Sequence, residues 1–127
     1  MFCSFSLEVQ VNKYLYMNGR EVFKRSTAYF RKSIEHVVQK ANLSLDDIDW
    51  IVPHQANDRI LLAVAEKLNI DSNKLVSTIS EHGNTSAASI PMAYDHMCCE
   101  GKIKPGQLVM FSAFGAGFTW ASMLFRV

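Results

Sequence analysis

Apolar residues recur along much of the chain at the spacing of α-helices. From Gly19 this spacing predicts a helix that ends near Asn42. A third helix is predicted from about Thr85 to Cys99, in which Pro91 implies a kink or a distorted first turn. The apolar positions that predict the first and second helices are Val22, Phe23, Tyr29, Phe30, Ile34, Val37 and Val38, then Ile60, Leu61, Val64, Ala65 and Leu68.

Shorter apolar segments between the predicted helices have the character of strands. Continuous apolar runs indicate strands buried on both faces, and alternation indicates strands buried on one face. Ser44 and Asp47 stand at capping-box separation and predict a short capped turn before the "WIV" run. The predicted strands are 7–11 (LEVQV), 50–52 (WIV), 74–80 (KLVSTIS), 107–114 (QLVMFSAF) and 118–127 (FTWASMLFRV), the last two joined by a tight "GAG" turn.

This order of elements predicts the fold class. Strands that alternate with helices indicate an α/β fold, here a mixed, largely parallel sheet with packed helices that ends in an antiparallel strand pair. Ligands of such folds bind beyond the carboxyl ends of the strands. His54 follows the "WIV" strand and Asn84 follows the next predicted strand, so both are expected where chemistry would take place.

Composition excludes several classes of function. The 127 residues suffice for one compact domain, and 13 basic against 12 acidic residues give no electrostatic reason to expect nucleic acid. No apolar run has the length of a membrane span, no secretory signal is indicated, and no CxxC or HExxH spacing suggests a metal site. Three cysteines, two of them adjacent, make a poor disulfide framework and favour the cytoplasm.

His54 and Asn84 each have a structural and a chemical interpretation. His54 can serve as a cap that bonds backbone groups, and Asn84 before Thr85 and Ser86 has the character of a helix N-cap. Together, a neutral imidazole and a carboxamide are two uncharged hydrogen-bond donors of the kind that forms an oxyanion hole. A phosphate or an acidic partner would suit the predicted helix start at Arg59.

Five motifs in one order resemble a known family. "MNGREVFK", "DIDWIVPHQAN-R", "HGNTSAAS-P", "IKPGQLV" and "AFGAGFTW" resemble the C-terminal half of β-ketoacyl-acyl carrier protein synthase III. The resemblance divides the chain into an unmatched segment, 1–13, and a C-terminal synthase domain, 14–127. It implies half of a thiolase-like fold and a decarboxylative Claisen condensation of an acyl primer with malonyl-acyl carrier protein. Acyl-coenzyme A and malonyl-acyl carrier protein are then substrates, and no cofactor is expected.

The resemblance also implies a role for particular residues. Asp58 stands where family members commonly have an uncharged residue, and Glu66 and Lys67 stand where they often have a basic pair. Both departures add negative charge near the expected carrier surface, and Ala116 replaces a frequent glycine. The implied roles are catalytic for His54 and Asn84; lining of the active site for Phe114, Gly115, Ala116 and Gly117; and carrier-protein or coenzyme A binding for Gln55, Ala56, Asn57, Asp58 and Arg59.

The family's nucleophilic cysteine lies in its N-terminal half, and Cys3, Cys98 and Cys99 do not match its position. The resemblance therefore implies that this chain alone does not condense substrates and that it needs an N-terminal half or a second copy as a partner, besides acyl carrier protein. Two alternatives stay open. One is a stand-alone module that binds an acyl thioester or a carrier protein, and the other is an inactive remnant.

Overall fold

The computed structural model describes residues 17–127. The predicted strand 7–11 lies outside these residues. The helices are α1 (Gly19–Lys40), α2 (Asp58–Leu68), α3 (Ile79–His82) and α4 (Ser89–Cys99), and the strands are β1 (Trp50–Pro53), β2 (Leu108–Gly115) and β3 (Thr119–Arg126). Short 3-10 turns occupy Leu45–Asp47, Ser72–Lys74, Ser86–Ala88 and Ala116–Phe118.

The sheet has the order β1–β2–β3 and is mixed, as the predicted fold class requires. β1 runs parallel to β2, with Trp50 opposite Val109. β2 runs antiparallel to β3, with Leu108 opposite Arg126. The carboxyl ends of β1 and β2 therefore lie side by side at the end of the sheet where β2 connects to β3.

The predicted strand 74–80 is wrong. Leu75 forms an isolated parallel bridge with Ile51, and the Val76 N–H donates to the Ile51 carbonyl at 2.9 Å. The pairing then stops, because the Thr78 N–H donates to the side-chain oxygen of Gln55 at 2.8 Å instead of to a strand. Helix α3 begins one residue later, at Ile79.

The third predicted helix begins later than expected. Ser86 has a positive φ of 53°, a left-handed conformation that a continuous helix cannot contain, so a 3-10 turn comes first and α4 begins at Ser89. Pro91 falls in the first turn of α4, where its missing N–H would have no intrahelical partner. The irregular backbone therefore lies ahead of α4, at Ser86–Ala88, and not at Pro91.

The predicted hairpin between β2 and β3 is confirmed with a shifted boundary. Gly115 still belongs to β2 and pairs with Thr119, so the connection is Ala116–Phe118. Gly117 has a φ of 76°, which is the conformation that glycine adopts most readily.

Helices cover both faces of the sheet, and the side chains of β1 alternate between the two layers. Ile51 packs in one core cluster with Phe30 of α1 and Val64 of α2. Val52 packs in the other cluster with Ala93 and Met97 of α4. Every one of these side chains is buried. Among residues 17–127, no helix has both the length and the apolar character that a membrane crossing requires.

Candidate active site

A cleft of about 420 Å³ opens where β1 and β2 end. It lies between the end of β1, the loop that leads into α4, and the end of β2. It therefore combines segments that are distant from one another in the sequence. Its lining is formed by His54, Asn84, Ser86, Ala87, Ser89, Ile90, Ala113, Phe114, Gly115 and Ala116.

The β1–β2 ladder positions His54. Its backbone N–H donates to the Ser112 carbonyl at 2.7 Å, one residue beyond the last residue of β1. The imidazole is half-buried, and its ring meets Phe114 edge-on, with 5.7 Å between the ring centroids and 71° between the planes. A strand end therefore fixes the backbone of His54 and an aromatic ring fixes the orientation of its side chain.

Ser89, the first residue of α4, holds the other side of the imidazole. Its Oγ lies 2.6 Å from Nδ1 of His54 and accepts the Gln55 backbone N–H at 3.3 Å. Ser89 is buried, so its hydroxyl proton needs an acceptor, and donation to Nδ1 provides one. The neutral imidazole then carries its proton on Nε2, which makes Nε2 a donor toward the cleft.

Burial lowers the pKa of His54 below its usual value of 6.5, because the low-dielectric surroundings disfavour the charged imidazolium. His54 is therefore neutral near pH 7. A neutral donor can stabilise a developing oxyanion without forming an ion pair with a ground-state carboxylate.

Asn84 does not cap α4, which begins five residues later. Its Oδ1 instead accepts the Ser86 N–H at 3.0 Å and closes a local turn. This bond turns the oxygen of the carboxamide toward the backbone. Nδ2 is then the atom of Asn84 that can donate a hydrogen bond to a ligand in the cleft. The structure brings Asn84 and His54 to one cleft, as predicted, although Asn84 is exposed.

The residues at the end of β2 divide into two groups. Phe114, Gly115 and Ala116 line the cleft, and the Phe114 ring also meets the buried Phe30 ring edge-on at 5.2 Å. Gly117 is not among the residues that line this cleft, and its place in the active-site lining stays a prediction. Its role is to form the turn that leads into β3.

The predicted contact of Gln55 with a carrier protein or coenzyme A is also wrong. Gln55 is 1% exposed, and its Nε2 donates to the carbonyls of Pro53 and Val76 at 2.8 and 3.1 Å. With Thr78 bonded to its oxygen, both N–H donors and the oxygen of the carboxamide are bonded to the backbone. Gln55 therefore links the end of β1 to Val76 and Thr78 through buried hydrogen bonds.

The rest of the predicted binding segment lies at the start of α2. Asn57 is the N-cap, and its Oδ1 accepts the Arg59 N–H at 2.9 Å. Asp58 accepts the Ser77 hydroxyl at 2.8 Å, and Arg59 is exposed in the first turn. Ala56 is half-buried and packs against the core. The exposed groups of this segment are therefore Asn57, Asp58 and Arg59.

No cysteine of the described residues lines the cleft. Cys98 and Cys99 are exposed at the last turn of α4, whereas the cleft contacts the first turn. Sequence reasoning missed Ser89, although the quoted motif "HGNTSAAS" ends on it. The available signal was a hydroxyl residue one turn beyond the predicted start of the third helix at Thr85.

A neutral histidine and a carboxamide lie beside an aromatic ring at the strand ends of a mixed sheet, so the chain is an α/β domain whose cleft contains two uncharged hydrogen-bond donors. The chain belongs to the family described as 3-oxoacyl-[acyl-carrier-protein (ACP)] synthase III C terminal, which matches residues 38–127. This confirms the resemblance that the sequence motifs indicated.

Individual relatives agree with this assignment. The chain is 53% identical over 112 residues to the β-ketoacyl-[acyl-carrier-protein] synthase III of Wolbachia sp. subsp. Brugia malayi, a match that covers 88% of this chain and 34% of the relative. It is 49% identical over 116 residues to the synthase III of Blochmanniella pennsylvanica, covering 91% and 37%. The chain thus spans about a third of the length of these curated relatives.

Solved structures of synthase III have the same fold. The enzyme from Aquifex aeolicus superposes with a TM-score of 0.87 at 43% identity, over 90% of this chain and 37% of that one. The enzyme from Pseudomonas aeruginosa gives 0.86 at 40% identity, over 89% and 36%. The expected thiolase-like half is therefore confirmed.

Proposed function

We propose that this chain provides the C-terminal part of a β-ketoacyl-acyl carrier protein synthase III active site, where it serves the decarboxylative half of a Claisen condensation. The observation that carries the proposal is the placement of His54 and Asn84 in one cleft beside Phe114. Membership of the family supports it.

The two donors suit the enolate of a malonyl thioester. In the proposed step, Nε2 of His54 and Nδ2 of Asn84 donate to the thioester oxygen. The bond between the carboxylate carbon and the α-carbon breaks, and carbon dioxide leaves. The electron pair of the broken bond stays with the α-carbon and forms the enolate. Phe114 presents an apolar face to the departing carboxylate, which favours its loss as a neutral molecule.

The second half of the reaction needs a group from outside the described residues. The enolate carbon attacks an acyl thioester carbonyl, and the thiolate of an acylated cysteine leaves. We propose that an N-terminal half supplies this cysteine. The chemistry uses acyl-coenzyme A and malonyl-acyl carrier protein as substrates and needs no metal or prosthetic group.

The start of α2 is the proposed docking surface for acyl carrier protein. Arg59 is exposed in the first turn, where the helix dipole adds to its positive potential. An acidic carrier would be attracted there, and Asn57 can contact the pantetheine arm. The proposed location is the cytoplasm, which fits the unpaired, exposed Cys98 and Cys99.

A chimera tests the function. Residues 14–127 replace the corresponding part of the Wolbachia synthase III, and formation of the 3-oxoacyl product is measured. We expect an active chimera in which His54→Ala or Asn84→Ala each lowers kcat by about 10²–10³-fold, the usual cost of one oxyanion donor. Asn73→Ala, an exposed position outside the cleft, is the control. Full activity in either cleft variant would refute the assignment.

A second candidate function has one observation in its favour. Because the described cysteines stand away from the cleft, the chain alone can bind an acyl thioester without condensing it.

A further inference from the structure

The segment 78–89, which carries Asn84, is buried at both of its ends and not in between. Thr78 at its start and Ser89 at its end are each 2% exposed, whereas no residue from 79 to 88 is buried. Asn84 lies about midway between these two anchors. Its place beside the cleft therefore depends on what holds Thr78 and Ser89, since the stretch between them has no buried side chain to fix it.

Both anchors are bonded to the same two residues, which follow the end of β1. The Thr78 N–H donates to the side-chain oxygen of Gln55 at 2.8 Å. Ser89 Oγ lies 2.6 Å from Nδ1 of His54 and accepts the Gln55 backbone N–H at 3.3 Å. His54 and Gln55 thus hold the start and the end of the segment that carries Asn84, and His54 is itself the other proposed donor.

The carboxamide of Gln55 cannot rotate without breaking buried hydrogen bonds. Its Nε2 donates to the carbonyls of Pro53 and Val76 at 2.8 and 3.1 Å, and the side chain is 1% exposed. A rotated carboxamide would leave buried polar groups without partners, which is costly where water does not reach. The oxygen that accepts the Thr78 N–H is therefore held in a fixed position relative to β1.

The single turn of α3 transmits this position to Asn84. The Thr78 carbonyl accepts the Glu81 N–H at 3.2 Å, and Gly83, which ends the turn, leads directly into Asn84. The contact of the Glu81 carboxylate with His96 of α4, at 3.9 Å, lies at the exposed surface, where water weakens an ion pair. The buried bond from Thr78 to Gln55 is therefore the firmer support of this turn.

We propose that Gln55 is a positioning residue for the reaction. By holding the start of the segment 78–89 against the end of β1, its carboxamide keeps Nδ2 of Asn84 within reach of the oxygen to which Nε2 of His54 donates. This inference rests on the proposed function, because Gln55 acts through Asn84. A displacement of about 1 Å in such a site can lower a rate by up to about a hundredfold.

Gln55→Met in the chimera tests this role, because methionine has nearly the same length and makes none of the three side-chain bonds. We expect kcat to fall by about tenfold or more. In an Asn84→Ala background the same substitution should change kcat by less than about twofold, because the effect passes through Asn84. Ser33→Ala, which removes the buried hydrogen bond of α1 to Ser122, is the control and should keep full activity.

Nuclear magnetic resonance of the full chain gives a readout that a general loss of stability would not produce. In Gln55→Met, the order parameters of the amides of residues 83–88 should fall from about 0.85 to below about 0.6, while those of β1 stay unchanged. The Nε2–H tautomer of His54 should persist, since the backbone N–H of residue 55 still donates to Ser89.

The possible outcomes separate this inference from the proposed function. Full activity of Asn84→Ala would refute the proposed function. If Asn84→Ala is impaired, an unchanged kcat in Gln55→Met, or an equal fall in both backgrounds, would refute the positioning role alone. If Gln55→Met does not fold, the order parameters of the unmodified chain decide. Values below about 0.6 for residues 83–88 would then refute the role, and values near about 0.85 would support it.

Discussion

At the scale of single residues, the chemistry of the cleft depends on which nitrogen of His54 carries the proton. Backbone geometry alone does not determine this, since both tautomers fit the same ring position. Ser89 determines it, because its Oγ already accepts the Gln55 N–H and its proton is directed to Nδ1. A residue that need not touch the substrate thus makes His54 a donor toward the cleft.

Ser89→Ala should therefore impair the reaction more than it impairs folding. The substitution frees Nδ1 and lets both tautomers form, so kcat of the chimera should fall by about tenfold, a typical loss for a positioning group. Nitrogen NMR of the imidazole should show a loss of the Nε2–H tautomer. Ser86→Ala, in the same cleft, is the control. An unchanged tautomer population in Ser89→Ala would contradict this role.

The lowered pKa of His54 also predicts how stability depends on pH. Between the unfolded-state pKa of about 6.5 and the lower folded-state value, the unfolded chain binds more protons, so the free energy of unfolding must decrease as the pH falls through this range. His54→Asn should show a smaller decrease between about pH 7.5 and 5.5 in urea titrations. The other histidines are common to both proteins. Identical pH profiles would show that His54 titrates as it does in the unfolded chain.

At the scale of elements, the spacing of apolar residues predicted most of the helices and strands. It failed where a side chain, and not a neighbouring strand, bonds to the backbone. Residues 74–80 have the composition of a strand, but Gln55 takes the Thr78 N–H and the segment turns into α3. The start of α4 depends on the left-handed Ser86, which residue type does not reveal. These are tertiary effects that a local pattern cannot contain.

The candidate site was predicted with similar limits. The rule that ligands bind beyond the carboxyl ends of strands predicted that His54 and Asn84 lie close together, and both line the same cleft. Both residues follow segments that reach one end of the sheet. The motif led to the wrong role for Gln55, because polarity suggested an exposed contact whereas three backbone bonds bury the side chain. The same motif did not distinguish Gly117, a turn residue, from its neighbours in the cleft.

The start of α2 carries the prediction for carrier binding. Arg59→Glu reverses the charge of an exposed side chain, so it should weaken binding of acyl carrier protein to the chimera by about tenfold at low salt and less at high salt, because salt screens the attraction. Lys40→Glu, the same change at the end of α1, is the matched control. Equal affinities of Arg59→Glu and the unmodified protein in a low-salt titration would exclude this surface as the docking site.

At the scale of the whole molecule, the chain carries the two donors of the proposed reaction but places its described cysteines where they cannot serve as the nucleophile. Cys98 and Cys99 lie at the carboxyl end of α4, and the cleft is at the opposite end of that helix. A nucleophilic cysteine needs the reverse arrangement, with its sulfur at a helix N-terminus that faces the cleft.

The chain alone should therefore not be acylated by acetyl-coenzyme A and should form no 3-oxoacyl product. Intact-mass measurement after incubation with acetyl-coenzyme A tests this, with the active chimera as the positive control. Slow release of carbon dioxide from malonyl-coenzyme A is still expected, because His54 and Asn84 alone serve that step, and it should disappear in His54→Ala. Stoichiometric acetylation of Cys3, Cys98 or Cys99 together with condensation product would show that the short chain contains a complete active site, and the need for an N-terminal partner would then be refuted.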